Sequence, residues 1–192
     1  MKNTQVKPAF STKRLVLDAV MVALYVVLGF WKIPIGNMFR ISVASFAVIL
    51  GALLFGPLDG MIIGFLGEFL SQILGPYGLT QTTLLWCLGE TLRGLLLGLL
   101  TILLLKKLVA AGIANTLKQL LLLLVCCVIT GIVASLCNTL ALYVDSKLFG
   151  YYSYHMVFGV LIARIAINSV TAVLLGYISL PIITALHKAR LV

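Results

Sequence analysis

The sequence predicts an all-α membrane bundle of six transmembrane helices with both chain ends in the cytoplasm. Three observations carry that expectation. First, mean hydropathy is +1.18, and 62% of the 192 residues are hydrophobic against 10% charged. Soluble domains average about 25% charged residues, and a soluble fold of this size has too little interior to hide so much apolar surface. Second, the apolar residues fall into six runs. Backbone groups in lipid must pair within their own segment, so such runs form helices, and the alternation of a membrane β-barrel is absent. Third, the basic residues gather at alternate ends of the runs. This composition excludes a water-soluble enzyme, a disordered tail and a fibrous repeat, and residues 1–192 read as one integral membrane domain.

Span 1, Arg14–Trp31, follows a basic stretch with Lys2, Lys7, Lys13 and Arg14. Its apolar run is too long for a signal sequence and no small-residue cleavage site closes it, so it is expected to stay as a span. Asp18, one turn inside, is favoured by the helix dipole, and Asp59 at the start of span 3 is read the same way. An outer connection, Lys32–Arg40, contains Pro34, Gly36 and Asn37. Span 2, Ile41–Phe55, is nearly all apolar after Arg40 and Ser42. A short Phe55-Gly56-Pro57 turn makes it a tight hairpin with span 3, Leu58–Leu74. The second outer connection, Gly75–Thr82, holds Tyr77 and Gln81. Span 4 is Thr83–Leu105 and span 5 is Leu117–Val144. After the third outer connection, Asp145–Ser153, span 6 runs over Tyr154–Leu186. Glycine, proline and tyrosine in the outer connections suit both lids over a cavity and an interfacial aromatic belt.

Topology follows from the basic residues. Lys2, Lys7, Lys13, Arg14, Lys106, Lys107, Lys118, Lys188 and Arg190 lie on one side, against Lys32, Arg40 and Lys147 on the other. Nine against three puts both termini inside. The net charge of +9 is therefore a topology signal, and no basic stripe or aromatic platform indicates a nucleic-acid partner. Cys87, Cys126, Cys127 and Cys137 all lie inside apolar runs at spacings that fit no metal site. They are expected as small buried apolar residues.

The remaining two arginines lie inside spans, where a charge costs at least about 2.5–3.5 kcal/mol and normally faces a cavity or a partner. In span 4, Glu90 and Arg93 share one helical face, with Trp86 one turn earlier. An aromatic ring beside a charge pair suits a planar polar ligand. A self-satisfied pair that locks helix packing is the competing reading. In span 6, Arg164 and Asn168 share a face, and Arg164 has no acid on its own helix. Its partner is expected on another span, Glu68 or Glu90, or on a ligand carboxylate, which matches the guanidinium fork. Glu68 pairs in register with Gln72, and span 5 offers Asn138 and Thr139. Together these residues suggest a polar cavity opening outward between the later spans, with Arg40 at its rim. Small residues four apart let helices approach closely; such pairs occur at Ala19/Ala23, Gly60/Gly64 and Gly94/Gly98. No nucleophile, metal set or phosphate-binding loop appears, so neither an enzyme nor a bound cofactor is expected. A channel or secondary transporter would be favoured by an inverted repeat, which the halves lack.

With those residues in view, nearly the whole chain resembles the substrate-binding S component of an energy-coupling factor (ECF) vitamin transporter. Ala19-Val-Met-Val-Ala23 is similar to that family's AxxxA signature. Ile35-Gly-Asn-Met-Phe-Arg40-Ile-Ser42, Gly51-Ala-Leu-Leu-Phe-Gly-Pro57, Gly60, Gly64 and Glu68 resemble its folate-type group. The passage Gly75-Pro-Tyr-Gly-Leu-Thr-Gln-Thr-Thr83 departs from that group's pattern. The resemblance implies an ATP-driven importer in the cytoplasmic membrane, with hydrolysis in two separate ATPase subunits. Ala19 and Ala23 would dock on a transmembrane coupling subunit. Spans 1–3 would form the docking half, and spans 4–6 with the outer connections would hold the vitamin. The implied ligand is folate or a derivative, then pantothenate or cobalamin. Its expected contacts are Arg40, Glu68, Tyr77, Gln81, Trp86, Glu90, Arg93, Asn138, Arg164 and Asn168.

Overall fold

A computed structural model describes residues 12–35, 39–76, 78–110 and 116–188. Six α-helices are described: α1 (Thr12–Phe30), α2 (Ser45–Leu54), α3 (Pro57–Ile73), α4 (Thr83–Ala110), α5 (Thr116–Leu148) and α6 (Leu161–Lys188). A π-helical turn, His155–Gly159, precedes α6. Helices α4, α5 and α6 with its π-turn are long and apolar enough to cross a membrane. Large apolar side chains such as Leu84, Leu117 and Ile162 are exposed, an arrangement that suits lipid and not water.

The expected first outer connection is instead an antiparallel hairpin. Strand β1 (Lys32–Ile35) pairs with β2 (Phe39–Ser42), with Lys32 opposite Ser42 and Ile35 opposite Phe39. Ile33, Ile35, Phe39 and Ile41 are strand-favouring residues in an apolar, β-branched pattern. Apolarity alone places them in a connection and at the head of span 2. That span is therefore shorter than expected. Helix α2 starts at Ser45, after the Ser42 hydroxyl accepts the Ala44 amide hydrogen at 3.2 Å. Its 10 residues rise about 15 Å, half of a hydrocarbon core. It packs against α1, α3, α4 and α6, and Ala47, Val48, Ile49 and Leu50 are buried. Helix α2 is thus the plug at the centre of the bundle.

The α2–α3 turn works through Gly56, at φ 112°, and Pro57 at the first helical position; only glycine takes that backbone shape without strain, and proline loses no bond at N1. Asp59, fully buried, does more there than meet a helix dipole. The Arg14 Nε donates to its Oδ1 at 2.8 Å, and Arg14 Nη2 donates both to Asp59 Oδ2 and, at 2.7 Å, to the Phe55 carbonyl. This clamp fixes the start of α1 to the α2–α3 turn. Asp18 is buried beside it, one Oδ1 unpartnered. The Gly60/Gly64 stripe of α3 lies on α4: a Cβ at Gly60 would stand 2.9 Å from the Gly94 carbonyl oxygen, and one at Gly64 would overlap the Glu90 backbone. These glycines bring the backbone that carries Glu90 and Arg93 against α3. Cys87, Cys126 and Cys127 are buried, as the sequence predicts, whereas Cys137 is only half-buried.

Candidate functional site

Below the end of the bundle that bears the hairpin, four helices meet through one polar network. Glu90 and Arg93, on successive turns of α4, are paired at 3.1 Å with both side chains buried. The Ser45 hydroxyl at the head of α2 donates to Glu90 Oε1 at 3.0 Å. Arg93 Nη2 donates to Asn168 Oδ1 of α6 at 2.8 Å, and Asn168 Nδ2 donates to the Ser135 hydroxyl of α5 at 2.9 Å. Ser135 in turn donates to the Gly131 carbonyl. The sequence order of these residues is uninformative, but Glu90 and Arg93 lie two to three turns after the start of α4, Asn168 two turns after the start of α6 and Ser135 nearly four turns before the end of α5, which brings them to one depth where Ser45 opens α2.

The network is not saturated. Glu90 Oε2 and Arg93 Nε are buried with no hydrogen-bond partner. An unpaired buried polar atom costs about 1–3 kcal/mol, more when charged. One acceptor and one donor, on adjacent turns of one helix, therefore remain to be satisfied. Trp86 is half-buried one turn towards the helix start, and Asn138 of α5 is half-buried against Gly89, where a Cβ would stand 3.1 Å from its Cγ.

A second cluster ties α1 to α3. Tyr25, buried, donates to Glu68 Oε2 at 2.6 Å, and Gln72 Nε2 donates to Glu68 Oε1 at 2.7 Å. Gly67 makes room for the ring, since a Cβ there would lie 2.6 Å from Tyr25 Cγ. Among the described residues, Glu68 is thus partnered by Tyr25 and Gln72 and by no arginine. Arg164 is not acid-paired either among the described residues: its Nη1 donates to Thr139 Oγ1 at 3.1 Å and its Nη2 to the Met156 carbonyl at 3.4 Å. Its partner does lie on another helix, but is a hydroxyl, because Glu90 is already committed to Arg93.

Of the residues expected around a ligand, the structure joins Glu90, Arg93 and Asn168 directly, with Trp86 and Asn138 on the same helices. Arg164 is one turn from Asn168, and Glu68 belongs to the neighbouring cluster. Gln81 is exposed in the turn before α4. Arg40 lies in β2 opposite Pro34; its side chain and the whole of Tyr77 fall outside the described residues. Sequence reasoning missed Ser45, Ser135 and Tyr25. Ser135 carries a readable signal, four residues before Thr139 on one face. Ser45 and Tyr25 carry none, being single polar groups in apolar runs. Ala19 and Ala23 are exposed on α1, on the side away from buried Asp18, Val22 and Tyr25.

The family model for the ECF-type riboflavin transporter S component matches residues 9–188. In structure, the chain is similar to the S component of a bacterial ECF transporter, at TM-score 0.62 and 19% identity over 93% of this chain and 97% of that one. It is also similar to the S component for biotin from an ECF-type ABC transporter, at TM-score 0.57 and 19% identity over 89% and 93%. At these identities the likeness shows the fold. Sequence relatives include a UPF0397 protein of Vibrio atlanticus, 30% identical over 92 residues, and one of Streptococcus pneumoniae, 31% identical over 93. These alignments cover 47% of this chain, and the chain spans about half the length of the curated relatives it matches. The family consists of transporter subunits and not of enzymes, and the match over nearly the full length decides the matter: this chain belongs to the ECF-type riboflavin transporter S component family.

Proposed function

We propose that this membrane protein captures a planar heteroaromatic vitamin on the outer side of the cytoplasmic membrane and hands it to an ATP-driven ECF module. The observation that carries the reading is the Ser45–Glu90–Arg93–Asn168–Ser135 network with its unpartnered Glu90 Oε2 and Arg93 Nε. A carboxylate and a guanidinium offered side by side, with Trp86 one turn away, suit a ring whose edge alternates donors and acceptors. Glu68, Gln81, Asn138, Arg164, Arg40 and Tyr77 complete the proposed lining.

A flavin comes first among the ligands. The matched family carries riboflavin in its description, and the riboflavin ring is neutral, as is the Glu90–Arg93 pair. Folate or a derivative comes second. Its carboxylates need a cation, and Arg93 is already paired; Arg164, which faces a hydroxyl and a carbonyl, is the group that supports that alternative.

In this reading the chain crosses the membrane six times, the short α2 completed by the extended β2 that precedes it, with both termini inside. The exposed Ala19/Ala23 face of α1 docks on the transmembrane coupling subunit, and two ATPase subunits supply the energy. Mass spectrometry of small molecules released from the denatured protein, followed by titration with riboflavin and folate, tests the proposal. A released flavin and saturable riboflavin binding are expected. A folate would replace the ligand but keep the class. Purified protein that is empty and binds no vitamin would refute it.

A further inference from the structure

The proposed binding network lies beneath a knot that the preceding reading leaves unused. Asp145, near the end of α5, accepts hydrogen bonds from two directions. The Thr82 hydroxyl, fully buried at the head of α4, donates to Oδ1, and the Tyr151 hydroxyl of the α5–α6 connection donates to Oδ2. On the α4 side the contact is braced: the Thr80 amide donates to Thr83 Oγ1 at 2.9 Å, and the Thr80 hydroxyl is 3.1 Å from that of Thr82. On the α5–α6 side the Tyr151 amide donates to the Ser146 carbonyl at 3.1 Å, and Lys147 Nζ stands 4.0 Å above the Tyr152 ring. The same connection is fastened further along, where Arg164 holds the Met156 carbonyl of the π-turn.

One carboxylate thus joins the head of α4, which carries Trp86 and Glu90, to the tail of α5, which carries Asn138 and Ser135. It also joins both to the connection that leads into α6. Asp145 is ten residues outward of Ser135 on α5, about 15 Å above it. In the proposed reading, a ligand reaching the Glu90–Arg93 layer from the outer solution passes between the head of α4 and the tail of α5, which must then part. Parting them breaks the Thr82–Asp145 hydrogen bond, whose carboxylate acceptor makes it stronger than a neutral one, while the Tyr151 hydroxyl keeps Asp145 in place on the α5 side. From this we infer that Asp145 is the latch of the outer mouth: a positioning residue that sets how often the mouth opens without touching the ligand. The inference rests on the proposed vitamin site beneath it.

A latch that is closed with and without ligand leaves a kinetic signature. Weakening it accelerates entry and exit together and spares the equilibrium constant. Stopped-flow mixing of purified protein with riboflavin, read by flavin fluorescence, gives both rate constants. In Asp145→Ala and in the milder Thr82→Val, kon and koff are expected to rise together, about tenfold for the former, with Kd changed less than threefold. Rate constants within twofold of wild type in both variants would overturn the latch. So would a rise in koff alone, which marks a direct ligand contact. Hydrogen exchange without ligand separates this inference from the binding proposal. If wild-type protein ignores riboflavin, the binding proposal fails, yet faster exchange at residues 80–86 in both variants, and at 149–157 in Asp145→Ala, would still support the latch. Unchanged exchange there would overturn it.

Discussion

Removing Arg93 tests the polar network most severely. The residue is 1% exposed, pairs with Glu90 at 3.1 Å and donates to Asn168 at 2.8 Å. Arg93→Ala leaves the Glu90 carboxylate buried with only the Ser45 hydroxyl as donor. Breaking a buried pair from one side costs about 3–5 kcal/mol, because the surviving charge is stranded. Replacing both partners by apolar residues of similar volume is nearly neutral in other buried pairs. Arg93→Met combined with Glu90→Met is therefore expected to recover most of the stability that Arg93→Ala loses. A thiol-reactive dye reads this directly, since Cys87, Cys126 and Cys127 are buried in the folded protein and react on unfolding. The thermal midpoint should drop sharply in the single variant and return towards wild type in the double. Riboflavin binding should be lost in both. A single variant as stable as wild type, or a double variant no better than the single, would refute the reasoning.

Three further outcomes are expected. Gly60→Val pushes a side chain into the Gly94 carbonyl oxygen, 2.9 Å from an added Cβ; backbone cannot yield as a side chain does, so the variant should lose at least about 1–3 kcal/mol, seen as a lower dye-reported midpoint. Arg14→Ala strands fully buried Asp59 and should cost about 3 kcal/mol, the low end for a buried pair because Arg14 is 37% exposed; Asp59→Asn in the same chain should restore part of it. Ala19→Trp, on the exposed side of α1, should leave riboflavin binding unchanged while stopping uptake by cells that carry the full ECF module; a loss of binding would place the residue in internal packing instead.

Much of the helical frame was legible because apolar runs and their breakers are local properties. Span 3, expected over Leu58–Leu74, is Pro57–Ile73, and span 4 begins at Thr83 as expected. Gly56-Pro57 announced its turn for the same reason. The β-hairpin was not legible through apolarity, since Ile33, Ile35, Phe39 and Ile41 are as apolar in a strand as in a helix; the β-branching of the three isoleucines and the turn-favouring dipeptide Gly36-Asn37 are the sequence signals for it. Within the site, the Glu90–Arg93 pair could be read because its partners are one turn apart. Partners on different helices could not. Helical spacing fixes which residues share a face, but not which faces meet or at what depth. Hence Arg164 was matched to an acid when it meets Thr139, and Glu68 to an arginine when it meets Tyr25. Asp59 shows the same limit: a dipole explained it alone, and the structure adds Arg14 from 45 residues away.

The central claim is that a planar vitamin sits beside Trp86 above the Glu90–Arg93 pair, and Trp86 itself can report it. The protein has two tryptophans, and the other, Trp31, is 74% exposed at the end of α1. Trp31→Phe leaves Trp86 as the sole indole emitter, and riboflavin is titrated while indole and flavin fluorescence are followed together. Saturable quenching of Trp86 in parallel with the flavin signal is the predicted result. Flavin binding that leaves Trp86 emission unchanged, or no flavin binding at all, would contradict the claim.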